Sequence, residues 1–535
     1  MKHLWLLALS LPALAQTAQN RARLAAGLDD IQAAKLRADL TFLASDALEG
    51  RMSLERGSEV AIQWIAGEFS KAGLKPAFGD SFLQPVPLVE YKMDRDNTFL
   101  KIGNQTLHAP DVTGNYPNDG VFRGRVVFAG FGITAPELHY DDYASIDARG
   151  KIVLIFNHEP QEYDENSIFN GKGNTRYANA RAKMIIARRH GAVALLIAPD
   201  PNHREGNQRG GLDAGGRGAN NLRTPRPTQA IADEDSIPVF NVSAKVAEDL
   251  LAATGKKPSA IQTAIDSTLK PQSAALGNVE AELRAATSQR KRQISYNVAG
   301  IVEGSDPQLK NETVLYSGHY DHDGLRVDGA IYHGADDNGS GTVGIVALAH
   351  AFAKNPVKPK RTLLFAVFAA EERGLLGSYY YAAHPLRPLE TTRAQINFDM
   401  IGRDEKDSTQ THGLIDIAAD TSNEVNIVGT KYSPDYRKEV EQANEFVGLH
   451  LNYKWDDDTV LNVLFRSDQY PLLLHDIPAM WWFTGFHPDY HQITDTADKI
   501  NYAKMEKILK LAFISGFDFA DSANPPKFYP AGSPK

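Results

Sequence analysis

The chain has 535 residues, of which 42% are hydrophobic and 23% charged, with 42 glycines and 28 prolines. Those values exclude a collagen-like or wholly disordered chain, and the length predicts about three domains or one large domain with an insertion. The net charge of −9 argues against a general nucleic-acid binder. The lack of cysteine excludes disulfide scaffolds, thiolate zinc sites, iron–sulfur clusters and cysteine nucleophiles. Any metal must be held by histidine and carboxylate.

The N-terminus pairs Lys2 with an apolar stretch over residues 4–11 and the small-x-small triplet Ala13-Leu14-Ala15. This pattern predicts a signal peptide over 1–15, cleaved after Ala15, and an exported protein, periplasmic or secreted. The rival is an N-terminal membrane anchor, for which the run is too short. No later run reaches 18 apolar residues, so no stable membrane association is expected after cleavage.

Residues 28–73 read as helical, with Ala61, Ile62, Ile65, Phe69 and Leu74 near helical spacing and Gly73 as C-cap. Residues 16–107 are assigned to the first part of the main domain. The texture then changes over 108–270, where β-rich runs at 124–129, 151–156, 192–198 and 237–242 surround a helix at 179–190. This predicts a smaller inserted β-rich domain. Within it, 204–227 has the composition of a mobile loop. Its lone Arg209-Gly210-Gly211 does not make an RNA site in an acidic chain. Over 271–525 strands at 313–317, 362–369, 394–398 and 477–483 alternate with helices at 341–354, 375–383 and 503–519. This predicts an α/β fold with a mostly parallel mixed sheet flanked by helices. Residues 526–535 are a tail.

The chemistry sits just past the strands. The first is followed by His319 and Asp321, the second by Glu371 and Glu372, the third by Asp399, and the fourth by His487, Asp489, Tyr490 and His491. A glycine-rich turn, 334–341, carrying Asp336 and Asp337, opens the first helix. In open α/β sheets the ligand crevice lies at the carboxyl ends of the strands, so these segments should converge. Singly, each residue reads as a cap or surface group. Two histidines and four carboxylates drawn from this set suit a pair of zinc or similar divalent ions with one bridging carboxylate.

At these residues the chain resembles the M28 family of zinc metallopeptidases. The resemblance rests on His319-x-Asp321, the Gly334–Gly341 turn, Ala370-Glu371-Glu372-x-Gly374, Asn397-Phe398-Asp399-Met400 and Asp489-Tyr490-His491. The segment 43–51, LASDALEGR, is similar to the N-terminal part of the family's exported bacterial members, and the insert resembles a protease-associated (PA) domain. The resemblance implies two Zn2+ per chain: His319 and Asp399 on one, Glu372 and His491 on the other, Asp336 bridging, and Glu371 as general base. It implies that the Asp321 carboxylate accepts the other N–H of His319, and that Asp337 follows the bridge at an unusual cis peptide. His491 is preferred to His487 as ligand because it directly follows Tyr490 and shortly precedes Asp495-Thr496. His322 and Asp323 are expected at the surface or rim. Tyr490 is either a hydrogen-bond donor to the developing oxyanion or a packed ring.

The expected function is hydrolysis of peptide bonds in peptide substrates, with removal of N-terminal residues. Asp321, Asp323, Asp337, Asp404, Glu405, Asp468 and Asp489 outnumber Arg326, Arg373, Arg403 and Arg466 around the motifs, which favours a positive substrate end. The rivals are a carboxypeptidase of the same family, a non-peptidase hydrolase or cyclase on the same fold, and a catalytically inactive, receptor-like binding protein. The intact set of acids and histidines counts against the last. Sequence leaves the oligomeric state open.

Overall fold

The computed structural model describes residues 23–171, 173–203 and 226–530. The expected signal peptide and all but the last two residues of the 204–227 stretch lie outside them. Among the described residues, no helix is long and apolar enough to cross a membrane.

The main sheet contains, in chain order, β1 (Leu83–Met93), β2 (Thr228–Ile231), β3 (Thr287–Val302), β4 (Thr313–His319), β5 (Thr362–Phe368), β6 (Thr392–Phe398), β7 (Glu424–Val428), β8 (His450–Asn452) and β9 (Ala479–Phe483). Their order across the sheet is β2-β1-β3-β5-β4-β6-β9-β7-β8. The four central strands, β5, β4, β6 and β9, are parallel. Antiparallel β3 and β7 flank them. β4, β5 and β9 are buried from end to end, as expected of a parallel sheet covered on both faces.

The helices are α1 (Ala33–Leu43), α2 (Arg56–Lys71), α3 (Gly341–Lys354), α4 (Leu376–Ala383), α5 (Pro434–Asn444) and α6 (Tyr502–Asp521). One face of the sheet packs with α1, α2, α3, α5 and α6 in a single apolar core. The other is covered by Tyr381 of α4 and by Trp455, Leu464 and Leu472. The 28–73 stretch is not one helix. Between α1 and α2 the backbone turns left-handed at Glu49, Gly50, Arg51 and Leu54, and this break carries Arg51 into the interior, where it is fully buried.

A second sheet has its own core. Its strand order is Gln105–Leu107, Phe99–Ile102, Ala274–Ala285, Gly120–Phe128, Ile152–Phe156, Ala194–Ala198, Val239–Val242 and Val112–Asn115. It starts and ends outside the expected 108–270, because strands at Phe99–Ile102 and Ala274–Ala285 extend it. Within that range β2 belongs instead to the main sheet, pairing antiparallel with β1. The two bodies are pinned together at Arg176. Its N–H donates to Tyr432 Oη at 2.8 Å, its carbonyl accepts from Tyr470 Oη at 2.8 Å, and its Nη1 donates to Leu473 O at 3.1 Å. Phe528 also packs there, stacked on Tyr432 at 5.3 Å.

Gly516 lets α6 approach β4. A Cβ there would lie 1.6 Å from Tyr316 Oη, which donates to Ala512 O at 2.9 Å. Gly516→Ala is therefore expected to destabilise the main domain by about 1–3 kcal/mol through overpacking. The check is thermal unfolding; an unchanged midpoint would mean that α6 can move aside.

Candidate metal centre

The carboxyl ends of β4, β5, β6 and β9 open on one crevice, as parallel topology requires. His319 ends β4; Glu371 and Glu372 form a single turn after β5; Asp399 follows β6; His491 follows β9. His319, Glu372, Asp399 and His491 are buried, and Glu371 is 9% exposed.

Asp337 lies at the centre. Its Oδ1 is 3.6 Å from His319 Nε2, and its Oδ2 is 3.0 Å from His491 Nε2. Around His319 Nε2 stand also Glu371 Oε2 at 3.7 Å and Asp399 Oδ1 at 3.5 Å. Around His491 Nε2 stands Glu372 Oε1 at 3.6 Å. The place between the two histidines, expected for Asp336, is taken by Asp337. Asp336 turns away: its Oδ1 accepts from Gly402 N at 2.7 Å, and its Oδ2 lies 3.2 Å from His487 Nε2. The reason is local. Asp495 Oδ2 accepts from both Asp336 N (3.0 Å) and Asp337 N (3.2 Å), which fixes the backbone so that consecutive side chains diverge. The cis peptide lies between Asp337 and Asn338. Asn338 ties this turn to the end of β6, donating to Phe398 O at 2.8 Å and accepting from Gly341 N at 2.9 Å.

Three further expectations change. His319 Nδ1 bonds to the backbone carbonyl of Asp321 at 3.1 Å, while the Asp321 carboxylate accepts from Glu371 N at 3.0 Å. Asp321 therefore orients both the histidine and the glutamate turn, by different atoms. His322 and Asp323 are not rim groups. Both are buried, with His322 Nδ1 2.9 Å from Glu372 Oε1 and His491 Nδ1 2.8 Å from Asp323 Oδ2. Asp323 stands to His491 as a partner that fixes ring orientation. Proximity to His319 in the sequence was the available signal for both.

Arg51 was missed altogether as a functional residue. Its Nη1 donates to Leu43 O and His333 O, each at 2.7 Å, its Nη2 to Gly334 O at 2.7 Å, and its Nε to Tyr320 O at 2.9 Å. One guanidinium thus clasps the end of α1, the segment after β4 and the Asp337 turn. Burial brings its pKa down to about 10, against the pull of Asp495, Asp337 and Asp321. Among the acids, burial pushes Glu371 well up against the pull of His319, and Asp399 and Glu372 add to the rise. Burial also raises Asp399 and takes Asp468 to about 7, each against His319. Burial would raise Asp337 too, but the hydrogen bond from His491 and the nearness of His322 and His319 hold it low.

These residues fit divalent cations. Buried His319 Nε2 has no hydrogen-bond partner, yet three acids face it at 3.5–3.7 Å. That spacing is too long for hydrogen bonds and close to the roughly 3.3 Å separation of ligand atoms around a tetrahedral ion with bonds near 2.0–2.1 Å. Residues 297–514 match peptidase family M28, and residues 117–250 match the PA domain. The M28 match covers the part of the chain that carries the crevice residues from His319 to His491. It is similar to a probable leucine aminopeptidase 2 of Aspergillus oryzae, 31% identical over 211 residues, 39% of this chain and 37% of that one. It is also similar to aminopeptidase YwaD of Bacillus subtilis, 35% identical over 124 residues, 23% of this chain and 24% of that one. The matches thus span well under half the length of these relatives. Among solved structures, an aminopeptidase from Aneurinibacillus sp. strain AM-1 aligns with a TM-score of 0.45 and 19% identity, over 93% of this chain and 96% of that one.

Arg51→Lys keeps the charge but cannot reach four carbonyls from one point. It is expected to lower metal affinity by 10–100-fold, the usual cost of losing an orienting partner, as read by metal titration of the chelator-treated protein. Asp337→Asn should remove metal, whereas Asp336→Asn should retain it with lower thermal stability. Metal retained by Asp337→Asn and lost by Asp336→Asn would return the bridge to Asp336.

Proposed function

We propose that this M28 domain is an exported dizinc aminopeptidase that removes N-terminal residues from peptides. The observation that carries the reading is Asp337, with one carboxylate oxygen toward His319 and the other toward His491. His319 and Asp399 would hold one zinc, His491 and Glu372 the other, and Asp337 both. Zinc, when bound, supplies the Lewis acidity that activates water near neutral pH and draws charge from a carbonyl oxygen. Export rests on the residue pattern at 1–15.

Glu371 takes the proton that water releases and returns it to the leaving amine nitrogen. Its burial keeps bulk water away, and divalent charge opposes the rise in its pKa. Tyr490 lines the cleft. Its Oη accepts from Arg466 Nη2 at 3.1 Å, which leaves its own proton free to donate to an oxygen gaining negative charge. Burial raises the Tyr490 hydroxyl to about 12, so it stays protonated at neutral pH. The ring also packs on Phe486 at 5.3 Å, so packing and donation coexist.

The choice of substrate end rests on the cleft lining. Several acids counted along the sequence are paired elsewhere: Glu405 with Lys454 at 2.7 Å, Asp489 with Arg403 at 2.7 Å, and Asp404 with Lys504 at 3.6 Å. Around the cleft stand Asp337, Glu371, Glu372 and Asp399, with Arg466 as the lining base. Arg466 lies over the Phe486 ring at 4.9 Å and is engaged by Tyr490. With two zinc ions the acids are neutralised, and a free amine, itself a metal ligand and hydrogen-bond donor, is the end that this set accommodates.

Glu371→Gln is expected to keep zinc while turnover falls by about 10²–10⁴-fold, the contribution of a general base. Glu372→Gln should lose zinc as well as rate. Equal metal loss in both, with the first still active, would refute the division of labour. Aminoacyl reporters and peptides with a free N-terminus should be cleaved, and N-acetylation should abolish cleavage. Cleavage of acetylated peptides that is stopped by C-terminal amidation would make the enzyme a carboxypeptidase.

A further inference from the structure

A second group of potential ligands lies in the PA-domain sheet, outside the cleft. Ile152–Phe156 and Ala194–Ala198 are adjacent parallel strands, with Phe156 opposite Ala198. His158 and Asp200 each stand two residues past that rung, so parallel register brings them together. Glu162 and His203 complete the group. One nitrogen or oxygen from each of the four lies within 4.8 Å of all the others.

The contacts are specific. His158 Nδ1 is 2.9 Å from Asp200 Oδ1, and His203 Nδ1 is 2.9 Å from Glu162 Oε2 and 3.8 Å from Asp200 Oδ2. The two imidazoles stack at 4.5 Å with 16° between their planes. Both loops are pinned to the helix Pro258–Thr268. Gln161 N donates to Asp266 Oδ1 at 3.0 Å, and Asn202 N donates to Gln262 Oε1 at 2.8 Å. The donor atoms are therefore held in place independently of any ligand.

Both carboxylates of this group are nearly buried. The Asp200 side chain is only 3% exposed and that of Glu162 6%. His158 Nδ1 faces Asp200 Oδ1, His203 Nδ1 is shared between Glu162 Oε2 and Tyr163 Oη at 3.1 Å, and buried Asp200 Oδ2 has no hydrogen-bond donor among the described residues. The buried cation nearby, Lys183, donates to Phe131 O instead. Burying two carboxylates is costly unless they are paired. One divalent ion would neutralise both and use the orphaned oxygen. The donor atoms lie 2.9–3.8 Å apart, an ion would take the place of the protons now shared between histidine and carboxylate, and two imidazoles with two carboxylates suit zinc or a similar transition ion rather than calcium.

We propose that His158, Glu162, Asp200 and His203 bind one zinc-like divalent ion, a site in the PA domain separate from the catalytic pair. It would clamp the ends of two neighbouring strands.

The test is metal counting on the full chain, stripped with chelator, reloaded with zinc and freed of excess. The wild type is expected to hold one equivalent more than His158→Gln/His203→Gln, and Asp200→Asn should show the same loss. Circular dichroism controls for folding. The difference between wild type and variant is independent of how many ions the cleft holds. An Asp337→Asn chain should moreover keep the PA-domain equivalent even when cleft metal is gone. Equal zinc content in the wild type and both folded variants would overturn the site and leave two hydrogen-bonded histidine–carboxylate pairs.

Discussion

Asp337 faces histidines from segments 172 residues apart, His319 at the end of β4 and His491 after β9, with one oxygen toward each. That double contact depends on a turn that could not hold itself. It sits among buried acids that repel one another, and its peptide groups must be aimed and satisfied. Asp495 takes two of its N–H groups, Asn338 ties it to β6, and Arg51 takes the carbonyls of His333 and Gly334. Arg51 also supplies a buried positive charge beside the acids. The N-terminal helices are thus part of the site's frame, through one side chain placed by a left-handed break in the backbone.

The sheet explains why such crowding is possible. Four parallel strands end at the same level, each delivering a polar residue at the point where burial along the strand gives way to the crevice. The rigid apolar strands carry the cost of collecting the acids, because their side chains bury apolar area along both faces. The same geometry recurs on a smaller scale in the second sheet, where two parallel strands present His158 and Asp200 from matching positions. In both places polar groups gather where the parallel ladder ends.

Much of the candidate site was readable along the chain. Continuous apolar runs bounded by polar residues gave the four central strands to within a few residues, because strands buried on both faces cannot disguise themselves as surface segments. Position past the strands placed Glu371, Glu372 and Asp399 at the crevice, while the preference for His491 over His487 came from the family resemblance. What failed was the choice between neighbours. Asp336 and Asp337 have identical side chains, and no pattern of composition tells which one faces inward. His322 and Asp323 read as rim groups because their partners, Glu372 and His491, come from distant parts of the chain.

Sequence by itself determined the α/β alternation, the presence of an inserted β-rich unit, and a set of acids and histidines whose only efficient common use is cation binding. These are properties of local pattern and residue chemistry, which survive without knowledge of contacts. Only the tertiary structure decided which aspartate stands at the centre, that Arg51 clasps the site, that β2 leaves the insert to join the main sheet, and that Phe99–Ile102 and Ala274–Ala285 join the insert instead. Each of these turns on which groups far apart in the chain meet in space. Backbone direction at a turn and the pairing of edge strands are set by partners tens to hundreds of residues away, and no window of sequence contains them.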